Sequence, residues 1–222
     1  MAAEQPALTV LQLDTRFPRV PGDVACARTY RAPVEIIRIP RATVARVVTD
    51  RPDTIDLAPF DAAIARARGD VIVTSCGFLA PHQARLAART GRPFIASALG
   101  ALVELSETHG PRGILIATYD WGSLTAAHLA GYDCDIVGLP EDSHLRRVIA
   151  GDMATLDTAR AGEEVAAAIR AHLRSHHRHI LLECTNLPPY KAAIRAIADL
   201  PITDILTCIE AVRPGTVRPA FL

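Results

Sequence analysis

The chain has 222 residues, half of them hydrophobic and 22% charged, enough apolar material for one large core or two small ones without disulfides or metals. Lysine plus arginine number 24, as do aspartate plus glutamate, so the formal net charge is zero and there is no basic field to gather nucleic acid or anionic lipid. The expectation is a globular protein with neither nucleic acid nor membrane as a partner.

In chain order, the opening "MAAEQPALTVLQLD" lacks a basic segment followed by an apolar stretch and a small-residue cleavage site, which reads as a cytoplasmic protein. "ALTVLQL", "VEIIRI", "DVIVTS", "PFIAS", "GILIAT", "CDIVGL", "HILLE" and "ITDILT" then follow as short β-branched runs. They are continuously apolar rather than alternating, as parallel strands covered on both faces are. Between them "FDAAIARAR", "HQARLAART", "LGALVELSETHG", "SLTAAHLAGY", "EDSHLRRVIAG", "TARAGEEVAAAIRAHLRSHH" and "YKAAIRAIADL" carry apolar residues at helical spacing. The pattern is a βα-repeating α/β protein.

Five cysteines, Cys26, Cys76, Cys134, Cys184 and Cys208, are scattered with no CxxC pair, which argues against a disulfide framework or a zinc ribbon. His172 and His176 lie one helical turn apart, yet no nearby acid completes a set, so no metal site is expected. No GxGxxG, GxxxxGK[ST] or GxSxG element supports a nucleotide or a hydrolase nucleophile.

Setting Cys76 over Cys184 lays Leu79 on Leu187, Pro81 on Pro189, Ala84 on Ala192 and Ala88 on Ala196. Seventeen residues beyond each cysteine a proline, Pro93 or Pro201, opens the next strand. The chain is thus two related βα halves. Each of these cysteines follows the carboxyl end of a strand, where open α/β sheets build their sites, and precedes a helix whose amides should lower the thiol pKa toward neutrality. Two opposed thiols suit one chemistry: a thiolate removes a proton from carbon and the other thiol returns one on the opposite face.

"TSCG", the "IAT" strand and "ECTN" together resemble the aspartate/glutamate racemase superfamily, which includes hydantoin racemases, maleate isomerases and arylmalonate decarboxylases. That resemblance spans nearly the whole chain. It implies two pseudo-symmetric α/β domains, residues 1–98 with 205–222 carrying Cys76 and residues 99–204 carrying Cys184, with the active site in the cleft between them. It implies chemistry without a cofactor, a small carboxylate, amino acid or hydantoin as substrate, and by family precedent a homodimer. Cys76 and Cys184 match the two catalytic positions. Thr118 and Thr185 match carboxylate contacts, and Asp14 falls where amino-acid racemases often carry an acid near the substrate ammonium.

The motif departs from that of glutamate racemases at Gly77 and Phe78 after the first cysteine and at Asn186 after Thr185; these three, with Ser123, are nonetheless expected to contact substrate. Tyr119 and Trp121 stand beside Ser123 where smaller residues are usual, so the expected substrate is larger or less polar than glutamate. "DTRFPRVPGD" adds Asp14, Arg16, Arg19 and Asp23 in one loop, which reads equally as a carboxylate-clamping loop with Asp14 and Arg16 at the substrate or as a solvated, proline-stiffened loop with Arg16 exposed. The function expected on this basis is a racemase or epimerase working by two-cysteine acid/base chemistry. The alternatives are a maleate-type cis-trans isomerase or a decarboxylase on the same scaffold, and a noncatalytic small-carboxylate binding protein.

Overall fold

A computed structural model describes residues 5–222 and builds two four-stranded, wholly parallel sheets. The first takes β1 (Leu8–Gln12), β2 (Val34–Arg38), β3 (Val71–Thr74) and β4 (Phe94–Ile95) in the spatial order β2-β1-β3-β4. The second repeats that order with β5 (Ile114–Thr118), β6 (Asp135–Gly138), β7 (His179–Leu182) and β8 (Ile202–Thr203) as β6-β5-β7-β8. The expected α/β architecture and its pseudo-symmetry are both present. The reason is visible in burial: β3, β5 and β7 are buried at every residue, while the edge strands β2 and β8 stay partly exposed.

Eight α-helices flank the sheets among the described residues: α1 (Val44–Val47), α2 (Ala58–Arg66), α3 (Gln83–Ala87), α4 (Leu102–His109), α5 (His144–Ala150), α6 (Thr158–His172), α7 (Lys191–Arg195) and α8 (Ile205–Val212). None is long and apolar enough to cross a membrane. Ile114, Ile116 and Leu181 of the second sheet pack in one apolar cluster with Phe78, Leu79 and Leu102, so the two halves share a core. Ile205, Leu206 and Ile209 of α8 return to the first sheet and pack on Leu8, Val10 and Val73.

Several expected elements differ, among them three whose cause or extent is plain. "SLTAAHLAGY" forms turns rather than a helix: the His128 ring accepts a hydrogen bond from the Thr125 backbone N–H, and Ala130 and Gly131 take positive φ of 50° and 81°. "ITDILT" is a two-residue strand that becomes α8, because the Asp204 carboxylate accepts hydrogen bonds from the Leu206 and Thr207 amides and caps the helix. α6 stops at His172, short of the expected "RSHH".

Candidate functional site

The central strands aim the carboxyl ends of both sheets at one cavity of about 370 Å³ of empty space, part of it open to solvent. Two residues past β3 comes Cys76, and two past β7 comes Cys184; a 3₁₀ turn follows each, Gly77–His82 and Pro188–Tyr190, before α3 and α7 begin. The repeat in the sequence is therefore a repeat in space. Both thiols line the cavity and each is 7% exposed.

The loops carrying the thiols are tied together. Thr185 Oγ1 donates to the Ser75 carbonyl at 2.7 Å, across the two halves, and Ser75 Oγ accepts from the Leu13 amide at 3.0 Å. Asn186 Nδ2 donates to Asp23 at 2.6 Å, and Asn186 Oδ1 lies 3.8 Å from Cys184 Sγ. Arg19 closes this network: it is paired with Asp23 at 3.2 Å, donates to Thr15 Oγ1 at 2.8 Å and sits over the Phe17 ring at 4.2 Å from its centroid. Its Nε is buried and has no partner among the described residues, and Arg19 lines the cavity. An orphaned guanidinium donor there is a ready carboxylate contact.

Glu183 is the acidic residue of the cavity wall among the described residues. It is 1% exposed; Thr118 Oγ1 donates to its Oε2 at 2.6 Å, and its Oε1 is buried without a partner. Burial raises its carboxyl to about 7 against the opposing effect of the Thr118 hydroxyl. Burial also raises Cys76 to about 12, with the Glu183 charge adding to the rise and the Phe78 amide and Arg19 opposing it. Cys184 is raised well above its ordinary value by burial, then by Glu183, with Cys76 and Asp23 adding and the Asn186 amide opposing. The expected lowering of the thiols is thus reversed: the turns that follow them are short, and desolvation outweighs their amides.

Of the expected site residues, Cys76, Gly77, Phe78, Cys184, Thr185 and Asn186 line the cavity. Thr118 stands behind it, its hydroxyl spent on Glu183. Three lie outside its lining. Asp14 accepts from the Arg41 amide and pairs with Arg38, Arg16 is exposed with its backbone N–H bound to Asp152, and Ser123 donates to Asp120. The guanidinium in the cavity is Arg19, three residues on from the expected Arg16. Glu183 was not singled out in the sequence; its place before Cys184 at the end of a buried strand was the available signal.

Asp135 does come to His176 and His177, so an acid neighbours these histidines, contrary to the sequence expectation. Both ring Nε2 atoms lie 3.0 Å from Asp135 Oδ2. His177 Nδ1 accepts from the Arg174 amide, which leaves the proton of the neutral ring on Nε2, facing the carboxylate, and Arg112 takes the other carboxylate oxygen. The cluster is satisfied by its own hydrogen bonds.

Comparison with known proteins gives the fold and the class of relatives. No protein-family model matches the chain. Among solved structures it resembles allantoin racemase from Pseudomonas fluorescens, with a TM-score of 0.61 and 12% identity over 95% of this chain and 92% of that one. It also resembles glutamate racemase from Campylobacter jejuni, with a TM-score of 0.53 and 15% identity over 95% and 88%. The chain has the fold of these racemases. Among curated proteins it is 29% identical to a dimethylsulfoniopropionate lyase from Durusdinium sp. clade D, over 97% of this chain and 77% of that protein. It is 28% identical to dimethylsulfoniopropionate lyase 5 from Emiliania huxleyi, over 97% of this chain and 47% of that protein. The chain thus spans about half the length of the second relative. These relatives support an enzyme and overturn the expected racemase or epimerase: the sequence similarity runs to lyases, the structural similarity to racemases. The physical reason is that the paired thiols follow from the repeated sheet order of the two halves, so their presence alone does not report inversion.

Proposed function

We propose that this chain is a lyase that breaks a bond β to a carboxylate, using its own side chains, with dimethylsulfoniopropionate as the first substrate to test. The observation that carries the reading is one cavity holding two buried thiols and the buried, unpartnered Arg19 Nε. The near full-length similarity to dimethylsulfoniopropionate lyases supports it.

Dimethylsulfoniopropionate pairs a carboxylate with a sulfonium two carbons away. A thiolate that takes a proton from the carbon next to the carboxylate leaves an electron pair that forms a carbon–carbon double bond, while the carbon–sulfur bonding pair departs on dimethyl sulfide. Acrylate is the other product, and the proton ends on the thiol. Elimination needs one base on one face, unlike inversion. Cys76 is the base in this reading, because Arg19 favours its charged form whereas Asp23 and Cys76 act against that of Cys184; Glu183 opposes both thiolates, and one backbone amide, of Phe78 or Asn186, favours each. Arg19 Nε holds the carboxylate and offsets the charge that develops next to it. The apolar wall of Val44, Val48, Ile149 and Tyr119 suits the dimethyl group. The arriving sulfonium is a cation beside buried thiols and lowers the thiol pKa as it binds.

Proton NMR of dimethylsulfoniopropionate with wild type in deuterated water tests this. Vinyl signals of acrylate are expected with wild type and with Cys184→Ala at reduced rate, and not with Cys76→Ala. Loss of the α-proton signals with no vinyl signals would refute elimination.

A further inference from the structure

The net elimination converts a zwitterion into a neutral sulfide, an anion and one proton, so each turnover must pass a proton from the base to water. The base is a buried thiol. Among the described residues, the one acidic side chain in the cavity wall beside both thiols is Glu183, which follows β7 directly and precedes Cys184 in sequence. Its Oε2 is fixed by Thr118 of β5, its Oε1 has no partner, and it packs so closely on Gly77 that a side chain there would collide with its carboxyl and carbonyl oxygens. Other charges act from the first half: Arg19 on Cys76 and Asp23 on Cys184, with those two paired to each other. Tyr119, a further titratable neighbour in the wall, feels the charge of Cys184.

We propose that Glu183 is a positioning residue for the thiol base: carboxyl and thiol hold one proton in common, and Glu183 passes the proton taken from substrate to solvent. With one proton on the pair, the carboxylate-and-thiol form dominates and the carboxyl-and-thiolate form is the reactive minority. The thiolate takes the substrate proton, which leaves carboxyl and thiol both protonated. The more acidic carboxyl then releases one proton as product leaves and the cavity wets, restoring the one-proton state. Over the pH range in which the pair keeps a single proton, the thiolate population does not change with pH. Replacing the carboxyl by an amide removes that ceiling. Only the substrate step rests on the lyase reading; the shared proton belongs to the free protein.

The test is iodoacetamide alkylation of Cys76 and Cys184 from pH 5.5 to 9, resolved by peptide mass spectrometry, with Cys208, outside the cavity lining, as the internal control. In wild type the Cys76 rate is expected to climb to about pH 7 and flatten above it. In Glu183→Gln it continues upward about tenfold per pH unit, exceeding wild type by about 100-fold at pH 9 and matching it below pH 6. Glu183→Asp restores the flattening. Thr118→Val removes a hydrogen bond to the charged carboxylate and moves the onset of flattening to higher pH, an arm that stands even where Glu183→Gln folds poorly. Superimposed profiles for wild type and Glu183→Gln, or a wild-type rate that climbs tenfold per unit through pH 9, would overturn the proposal. Flattening in wild type without turnover of dimethylsulfoniopropionate refutes the lyase reading and upholds the shared proton; turnover without flattening does the reverse.

Discussion

Thr185, next to the second cavity cysteine, donates its hydroxyl to the backbone carbonyl of Ser75, next to the first, at 2.7 Å and fully inside the protein. This bond ties together the two cysteine loops, which lie 110 residues apart in sequence. Thr185→Val keeps the shape and leaves the Ser75 carbonyl without that donor, at an expected cost of about 1–3 kcal/mol. Urea unfolding measures it. Cys76 activity should fall further than stability explains, because the loops lose their mutual register.

Arg19 is held by Asp23, Thr15 and the Phe17 face with its Nε left over. Arg19→Lys keeps the charge beside Asp23 but offers no planar fork. The variant is expected to fold, and to bind acrylate at least about tenfold more weakly by calorimetric titration, equivalent to about 1.4 kcal/mol. Unchanged acrylate affinity would remove Arg19 from the carboxylate site.

Gly77 is small because Glu183 occupies the space where a side chain would go. Gly77→Ala must therefore displace either the Glu183 carboxyl or the Cys76 loop. An overpacking cost of about 1–3 kcal/mol is expected, with activity reduced by about 100-fold for a shift near 1 Å at the base. Thermal unfolding and turnover report the two effects separately.

The fold was legible where one physical requirement governed a stretch of chain. β3 and β7 are buried on both faces, and their unbroken "VIVT" and "ILL" show it directly. The Cys76 and Cys184 positions were legible because the same turn is needed twice at the same distance from a strand. Of the polar wall, Thr185 and Asn186 were legible beside Cys184, and Arg19 and Glu183 were not. Arg19 enters the cavity rather than Arg16 because the Asp152 carboxylate takes the Arg16 and Phe17 amides and sets the path of the loop, a contact between residues 135 or more apart. Glu183 becomes part of the site only when β5 and β7 pair and bring Thr118 to it. The thiol pKa direction was misread for a related reason: the helix amides are written in the sequence, but the desolvation that outweighs them is a property of the assembled halves.

Glu183 also makes stability depend on pH. Its carboxyl titrates at about 7 when folded against an ordinary 4.5, so the folded state binds the proton more tightly than the unfolded chain. The contribution is whole below pH 4.5, declines as pH rises toward 7 and is absent above it, a loss of roughly 3 kcal/mol. Urea unfolding at pH 5 and pH 8 should show this decline in wild type, and Glu183→Gln should lack that part of it. Equal pH dependence in the two proteins would contradict a buried, ionisable Glu183.

The central claim is elimination from a β-sulfonium carboxylate by the Cys76 thiolate. Headspace measurement of dimethyl sulfide, with acrylate quantified in the same vial, tests it most directly. The account predicts equimolar dimethyl sulfide and acrylate from wild type, a rate lower by about 1000-fold or more in folded Cys76→Ala, within the contribution of a positioned base, and a smaller loss in Cys184→Ala. No dimethyl sulfide from folded wild type, or undiminished release from Cys76→Ala, would contradict it.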